Sequence, residues 1–271
     1  MHFICVRSSE FNRIIHHLNY FRTQIACSLR KMSKESVTTE FHCNIGAMRA
    51  KYHDESDTFT EEDLVGKDPI SHFQKWLNDA VKCDRIMEAN AMCLATANRN
   101  GVPSARYVLL KGYGSDGFEF FTNYNSRKAC DLEENPQAAL TFYWEPLKRQ
   151  VRIEGKVEKL SEPESDEYFS SRPKVSQISA SVSKQTSLVA SRDAMLREVE
   201  EFAKEVENSD LKRPKHWGGY RVIPNSYEFW QGQSNRLHDR IRFRKLQENE
   251  IIDENLTHYG DGDWVYERLY P

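Results

Sequence analysis

Residues 230–240 read Trp-Gln-Gly-Gln-Ser-Asn-Arg-Leu-His-Asp-Arg, and they hold the densest chemistry in the chain. Arg236, His238 and Arg240 alternate at a spacing of two, which in an extended strand places all three side chains on one face. An imidazole between two permanent cations makes a poor core. It suits an anionic ligand, because guanidinium forks bind phosphate in bidentate fashion. Trp230 adds a flat aromatic wall just upstream. An exposed strand paired with acidic neighbours such as Asp239 explains the triplet equally well.

Two further groups could hold anions. Ser126-Arg127-Lys128 stands at an expected helix start, where free backbone N–H groups and the macrodipole already favour negative charge. Cations there oppose the dipole unless an anion is bound; a solvated first turn is the bland alternative. Tyr168, Arg172 and Ser176 are spaced by four and would share a helical face, but Pro173 makes a bend after Arg172 the expected geometry. Arg106 and Lys111, five apart, bracket an apolar strand and should emerge on opposite faces. Gly112, Gly114 and Gly117 spell G-x-G-x-x-G, yet Phe118-Glu-Phe-Phe-Thr122 follows as a strand pattern, so a hairpin turn is expected rather than a dinucleotide site. No P-loop lysine, nucleophile elbow or H-E-x-x-H is present.

The elements that must position these groups are short strands joined by tight turns. Asp68-Pro69 opens a helix with Ile70, Phe73, Leu77 and Val81 on one face. Strands follow at 91–97, 104–111 and 118–123, then a short helix capped by Ser126 and ended by Asn135-Pro136, then strands at 138–144 and 150–160. Short helices are expected at 163–171 and 174–180. A longer one from Ser191 should bury Met195, Val199, Phe202 and Val206. Strands return at 219–223, 227–231, 238–246 and 264–269 and should complete the sheet begun in the first half. The expected fold is mainly β with α, an antiparallel Greek-key-like barrel with flanking helices.

Composition describes an ordinary globular chain: 271 residues, 39% hydrophobic, 29% charged, net charge −3. No apolar run is long enough to span a bilayer. The charge is uneven: Arg7, Arg13, Arg22, Arg30 and Lys31 against Glu10 alone give residues 1–32 a local +4, leaving an acidic body at −7. That balance argues against a nucleic-acid binder, which would normally show a basic face. With Phe11, Ile14, Ile15 and Leu18 on one helical face, the leader has the composition of a mitochondrial presequence or of a disordered tail without an address. We therefore expect a leader at 1–46 and one domain at 47–271. Cysteines at 5, 27, 43, 83, 93 and 130 form no C-x-x-C, so neither a disulfide framework nor a metal site is indicated and the compartment should be reducing. A cytoplasmic location is expected, or a mitochondrial one if the leader is a presequence.

Taken together, the segments resemble the pyridoxine (pyridoxamine) 5′-phosphate oxidase family from about Met48 to Pro271. The specific motifs are Ser-Ala-Arg-Tyr-Val-Leu-Leu-Lys at 104–111, Phe-Phe-Thr-Asn-Tyr-Asn-Ser-Arg-Lys at 120–128 and Phe-Tyr-Trp-Glu-Pro-Leu-Lys-Arg-Gln-Val-Arg at 142–152. Ser-Arg-Pro-Lys at 171–174, Trp-Gln-Gly-Gln at 230–233, Asn-Arg-Leu-His-Asp-Arg at 235–240 and Trp-Val-Tyr-Glu-Arg-Leu at 264–269 complete the set. The leader has no counterpart in that pattern.

The resemblance implies a homodimeric FMN-binding split barrel with FMN at the subunit interface. It implies oxidation of pyridoxine 5′-phosphate or pyridoxamine 5′-phosphate at C4′ to pyridoxal 5′-phosphate, with O2 as acceptor, H2O2 as by-product and ammonia released from the amine. By position, Arg106, Arg127 and Lys128 would hold the FMN phosphate, and Tyr107, Val108, Leu109, Phe121 and Thr122 would line the flavin. Gln150, Gln185, Thr186, Trp230 and Arg240 would also touch FMN, some from the partner subunit; Thr186 stands where serine is common and keeps the hydroxyl. Lys111, Tyr168, Arg172 and Ser176 would bind the substrate phosphate. Arg236, with Leu237 and His238 beside it, would lie over the pyridine ring near the reacting carbon, and Arg49 and Tyr52 match a lid element. Two phosphate monoesters, each near two negative charges, require separate cationic sites. A non-catalytic flavin, haem or pyridoxal-phosphate binder of the same fold is the competing class, and it would have no need of a second phosphate site.

Overall fold

Period-two alternation dominates the chain from Ala91 to Lys159, and that segment builds five antiparallel strands around one short helix in the computed structural model, which describes Tyr52 and residues 58–271. These strands are β1 (Ala91–Ala97), β2 (Pro103–Leu109), β4 (Gly117–Asn123), β5 (Gln137–Trp144) and β6 (Arg149–Lys159), with a three-residue β3 (Gly112–Gly114) hairpinned onto β4. The strands β7 (Trp217–Gln231), β8 (Asp239–Lys245), β9 (Thr257–Tyr259) and β10 (Trp264–Arg268) complete a ten-stranded sheet. Its order is β2-β1-β5-β6-β7-β8-β10-β9.

β7 divides the sheet. One edge pairs with β6 along its length. The other is shared, with β4 on Trp217–Val222 and β8 on Ser226–Gln231. β4 and β2 approach each other without a ladder, so the barrel β2-β1-β5-β6-β7-β4 stays open at that seam. The expected antiparallel barrel with flanking helices is what the chain forms, and its opening is the split.

Two sequence features set this geometry. The strands expected at 219–223 and 227–231 are one continuous β7, because the missing Pro224 N–H is absorbed at a bulge: Gly155 faces Pro224 while Glu154 faces Ser226. A Cβ on Gly155 would lie 2.0 Å from the Ile223 carbonyl oxygen, so only glycine permits the approach. The G-x-G-x-x-G run is a hairpin as expected. Gly117 has φ 139°, and its Cβ would meet the Val222 carbonyl oxygen at 2.4 Å.

Helix α1 (Pro69–Val81) begins where Asp68 accepts from the Ile70 and Ser71 backbone N–H groups at 3.3 and 2.9 Å, with proline at the first position. It buries His72, Phe73, Trp76, Leu77 and Ala80, whereas Val81, expected on that stripe, is exposed in the last turn. Phe73 packs against Phe118 and Phe142 at centroid distances of 5.0 and 5.2 Å, which ties α1 to the barrel core.

The remaining helices are α2 (Arg127–Glu134), α3 (Glu162–Ser171), α4 (Lys174–Val182) and α5 (Arg192–Glu205). Ser161 caps α3 in a capping box with Glu164. The stripe expected to be buried on α5 is not: no residue of α5 is buried, and Met195 is 43% exposed, because α5 packs mainly on α4 and not on the barrel. No helix among the described residues is long and apolar enough to cross a membrane.

Candidate active site

A cleft of about 760 Å³ lies at the split, within the size range of cofactor and ligand pockets. β2 contributes Arg106, Tyr107, Val108 and Leu109, β4 contributes Phe121 and Thr122, and α2 contributes Lys128. Tyr168 of α3, Arg172 at the α3–α4 bend, Ser176 of α4 and Gln185 beyond it close the other side. Lys111 also lines the cleft. The expectation that Arg106 and Lys111 leave opposite faces therefore fails, because β2 ends at Leu109 and its alternation ends with it. Among the described residues, four cations face this cavity and no carboxylate lines it.

Lys128 is the most constrained of the four. It occupies the first turn of α2 and is 8% exposed, and its ammonium donates to Thr122 Oγ1 at 3.0 Å, Ser126 Oγ at 3.2 Å and Gln185 Oε1 at 2.8 Å. Three neutral acceptors do not neutralise a buried charge. Burial, reinforced by the nearby Arg106 cation, pushes its pKa down to about 8. Ser126 holds the N-cap position as expected, but its hydroxyl serves Lys128 rather than a backbone N–H. The Arg127 N–H is met by Thr186 Oγ1 at 3.4 Å, and Thr186 takes a left-handed φ of 81°. The Arg127 side chain is exposed.

Arg106 is held from behind. Its Nη1 donates to the Leu94 carbonyl at 3.1 Å and to Thr96 Oγ1 at 2.8 Å, and its Nη2 donates to Ser104 Oγ at 2.6 Å. Buried Asp131 accepts from Thr96 Oγ1 at 2.7 Å and stands 3.9 Å from the guanidinium. Burial still works against the Arg106 charge.

The α3–α4 bend is the one Pro173 demands: Arg172 is extended at φ −76°, ψ 149°. Tyr168, Arg172 and Ser176 converge on the cleft because of this bend rather than by sharing one helix face. The Arg172 guanidinium lies 4.7 Å from the Trp217 ring centroid, and its buried Nη1 has no hydrogen-bond partner. Tyr168 stacks on Phe121 at 3.9 Å, and Phe121 stacks on Trp217 at 5.5 Å.

The remaining site residues form a second group outside this cleft. Arg236 is not on a strand; it sits in the turn before β8 at φ 70°, so the expected common face of Arg236, His238 and Arg240 does not exist. His238 packs on Trp230 at 4.8 Å and on Tyr52 at 5.8 Å, and the Arg236 and Lys148 cations lie 5.6 Å from the Tyr52 ring. The Gln233 N–H donates to His238 Nδ1 at 2.9 Å, which leaves Nε2 to carry the proton of the neutral ring. Burial and the adjacent Arg236 hold the His238 pKa below its ordinary value. Gln150 faces Trp230 across β6 and β7, and Leu237 is exposed. Arg240 is committed to buried Glu228 at 3.0 Å and to the Tyr270 carbonyl at 2.7 Å. Arg49 lies outside the described residues.

Sequence reasoning missed Trp217, Asn123, Ser179 and Ser183 in the cleft wall, and Asp131 and Thr96 behind Arg106. Asp131 follows Lys128 by three on one helix, a faint signal of a shared inward face. Trp217 carried none, because its partner Arg172 comes from a different element.

Comparison with known proteins bears directly on this geometry. The family model described as pyridoxamine 5′-phosphate oxidase matches residues 78–204, and that of the pyridoxine 5′-phosphate oxidase C-terminal dimerisation region matches residues 217–271. The chain belongs to the pyridoxamine 5′-phosphate oxidase family. A pyridoxine/pyridoxamine 5′-phosphate oxidase of Bombyx mori is 51% identical over 230 residues, 84% of this chain and 90% of that protein. A pyridoxine-5′-phosphate oxidase of Bos taurus is 52% identical over 229 residues, 84% and 88% of the two chains. Among solved structures, PhzG from Burkholderia lata 383, in complex with tetrahydrophenazine-1-carboxylic acid, superposes with a TM-score of 0.69 at 29% identity, covering 79% of this chain and 98% of that one. Most of the cleft residues fall in 78–204, whereas Trp217 of the cleft and Trp230, Arg236, His238 and Arg240 of the second group fall in the dimerisation region.

Proposed function

We propose that this protein is an FMN-dependent oxidase that converts pyridoxine 5′-phosphate or pyridoxamine 5′-phosphate to pyridoxal 5′-phosphate, in vitamin B6 salvage. The alcohol and O2 give the aldehyde and H2O2; the amine, O2 and water give the aldehyde, H2O2 and ammonia. The observation that carries this reading is a single cleft in which two cations withdrawn from solvent, buried Lys128 on α2 and half-buried Arg172 at the α3–α4 bend, have no carboxylate partner among the described residues. Neither is neutralised by a carboxylate of the protein, and each suits one phosphate monoester. A carrier of flavin or haem would have no use for the second.

Lys128, Arg106 and Arg127 would hold the FMN phosphate, with Tyr107, Val108, Leu109, Phe121, Thr122, Gln185 and Thr186 against the rest of the cofactor. FMN supplies the two-electron acceptor that takes hydride from C4′ and gives the electrons to oxygen. The residues themselves bind, align and exclude water. Lys111, Tyr168, Arg172 and Ser176 would take the substrate phosphate. Arg236, Leu237 and His238 would lie over the substrate ring, with Arg49 and Tyr52 as the lid; Tyr52 already packs on His238. Neutral His238, with its proton on Nε2, can donate to a substrate oxygen without charging.

The protein is a homodimer, and FMN would sit at its interface. The second group does not line its own chain's cleft, and its members Trp230, Arg236, Leu237, His238 and Arg240 belong to the dimerisation region. Gln150, Trp230 and Arg240 would then reach FMN from the partner subunit. Residues 47–271 would form the oxidase domain, in the cytoplasm unless residues 1–46 direct it to the mitochondrion.

The two-phosphate reading is tested with two variants. Arg127→Ala with Lys128→Ala should purify colourless and regain activity only at high added FMN. Arg172→Ala should keep its FMN and raise KM for pyridoxine 5′-phosphate, losing a charge-assisted contact worth about 1.5–3 kcal/mol. Equal losses of flavin and of substrate affinity in both variants would refute it.

A further inference from the structure

We infer that Trp217 is the positioning residue of the substrate-phosphate clamp, holding the Arg172 guanidinium in place across its indole face. This rests on the reading of Arg172 as a phosphate ligand. Among the described residues every other half-buried arginine has a carboxylate within 4 Å: Arg106, Arg149, Arg152, Arg213, Arg221, Arg240, Arg242 and Arg244. Arg172 has none, its Nη1 is orphaned, and its compensating contact is the Trp217 ring at 4.7 Å. A carboxylate there would repel the incoming phosphate. An aromatic face attracts the cation and leaves its N–H edges free for the anion.

Trp217 is itself immobile enough to act as a template. It is the first residue of β7, paired with Asn123 of β4, and its carbonyl accepts from Arg213 Nη1 at 2.8 Å. Its ring is fixed between Phe121, stacked at 5.5 Å, and Phe169, edge-on at 5.5 Å. The opposite end of Arg172 is fixed too: Pro173 keeps its backbone extended, and its carbonyl accepts from Gln177 Nε2 at 2.8 Å. Between these two anchors the guanidinium is set before substrate arrives, which lowers the ordering cost of binding.

The test is a double-mutant cycle on the FMN-loaded enzyme, reading kcat and KM for pyridoxine 5′-phosphate. Trp217→Leu should raise KM about three- to thirtyfold, the range of a partly desolvated cation–π contact, with kcat nearly unchanged. Trp217→Phe keeps an aromatic face and should recover most of the loss. In an Arg172→Ala background, Trp217→Leu should add nothing, because the group it positions is gone. Additive effects, or a fall in kcat at constant KM, would overturn the positioning role while leaving Arg172 as a ligand. An Arg172→Ala enzyme with unchanged KM would instead overturn the ligand assignment itself. If Trp217→Leu does not fold, Trp217→Phe carries the cycle: a two- to threefold rise in KM, absent in the Arg172→Ala background, supports the inference, and the same rise in both backgrounds overturns it.

Discussion

Replacing Lys128 with methionine separates what the cofactor site contributes to binding from what it costs the fold. Lys128 is 8% exposed, with a pKa lowered by burial from 10.5 to about 8, so at pH 7 the folded protein holds a charge it would rather lose. That lowering corresponds to roughly 3 kcal/mol of destabilisation of the FMN-free protein. The sign follows from proton counts. Between pH 8 and 10.5 the unfolded chain binds the proton more tightly than the folded one, so stability rises with pH across that window. From pH 7 to pH 10 the wild type should regain roughly 2 kcal/mol relative to Lys128→Met, in which nothing titrates at this position. Against this, the variant forgoes three hydrogen bonds worth about 1 kcal/mol each, so its FMN-free stability at pH 7 should match or slightly exceed that of the wild type. Its FMN affinity should fall about ten- to a hundredfold. Denaturant unfolding of both FMN-free proteins at several pH values, beside FMN titration by fluorescence quenching, measures both quantities. Parallel stability curves from pH 7 to 10, or unchanged FMN affinity, would refute the reasoning.

His72 is buried with Nε2 unpartnered and a pKa lowered by burial to about 3; the unfolded chain therefore takes up a proton first as pH falls below 6.5, and wild type should lose roughly 2 kcal/mol by pH 5 that His72→Phe retains in acid unfolding curves. Gly155→Ala would drive a Cβ into the Ile223 carbonyl at the β6–β7 bulge, and its unfolding midpoint should drop by an amount equivalent to about 2 kcal/mol or more; a variant as stable as wild type would show that the bulge is not constrained. Arg236→Ala should slow anaerobic flavin reduction on the order of a hundredfold under saturating substrate, with His238→Asn milder, and a wild-type rate in Arg236→Ala would make Arg236 a binding residue only. Because His238 is held below its ordinary pKa, it should contribute no inflection to the kcat profile above neutral pH, and an inflection there that vanishes in His238→Asn would contradict its neutral state.

Much of this site could be read from residue order because its parts are local. Arg127 and Lys128 belong to one helix start, and Pro173 forces the bend at Arg172 wherever the chain goes. The strands from Ala91 to Lys159 follow period-two alternation closely for the same reason. What failed was inference from spacing across irregular backbone. Arg236 takes a left-handed turn, so a two-residue period there meant nothing, and Lys111 lies beyond the end of β2. The gap expected between strands at 219–223 and 227–231 is a bulge at Pro224, whose accommodation depends on Gly155, sixty-nine positions earlier. Trp217 and Asp131 act on arginines of distant elements, a pairing that only the folded chain creates. The α5 stripe shows the converse: helical periodicity marks a face that can be covered and does not say what covers it.

Anaerobic mixing of the FMN-loaded protein with pyridoxine 5′-phosphate tests the central claim most directly. The visible flavin band should bleach with formation of one pyridoxal 5′-phosphate per flavin, and admitted oxygen should restore the band and release one H2O2. A flavin that binds tightly yet stays oxidised in the presence of either pyridoxine 5′-phosphate or pyridoxamine 5′-phosphate would make the protein a binder of FMN and contradict its assignment as an oxidase.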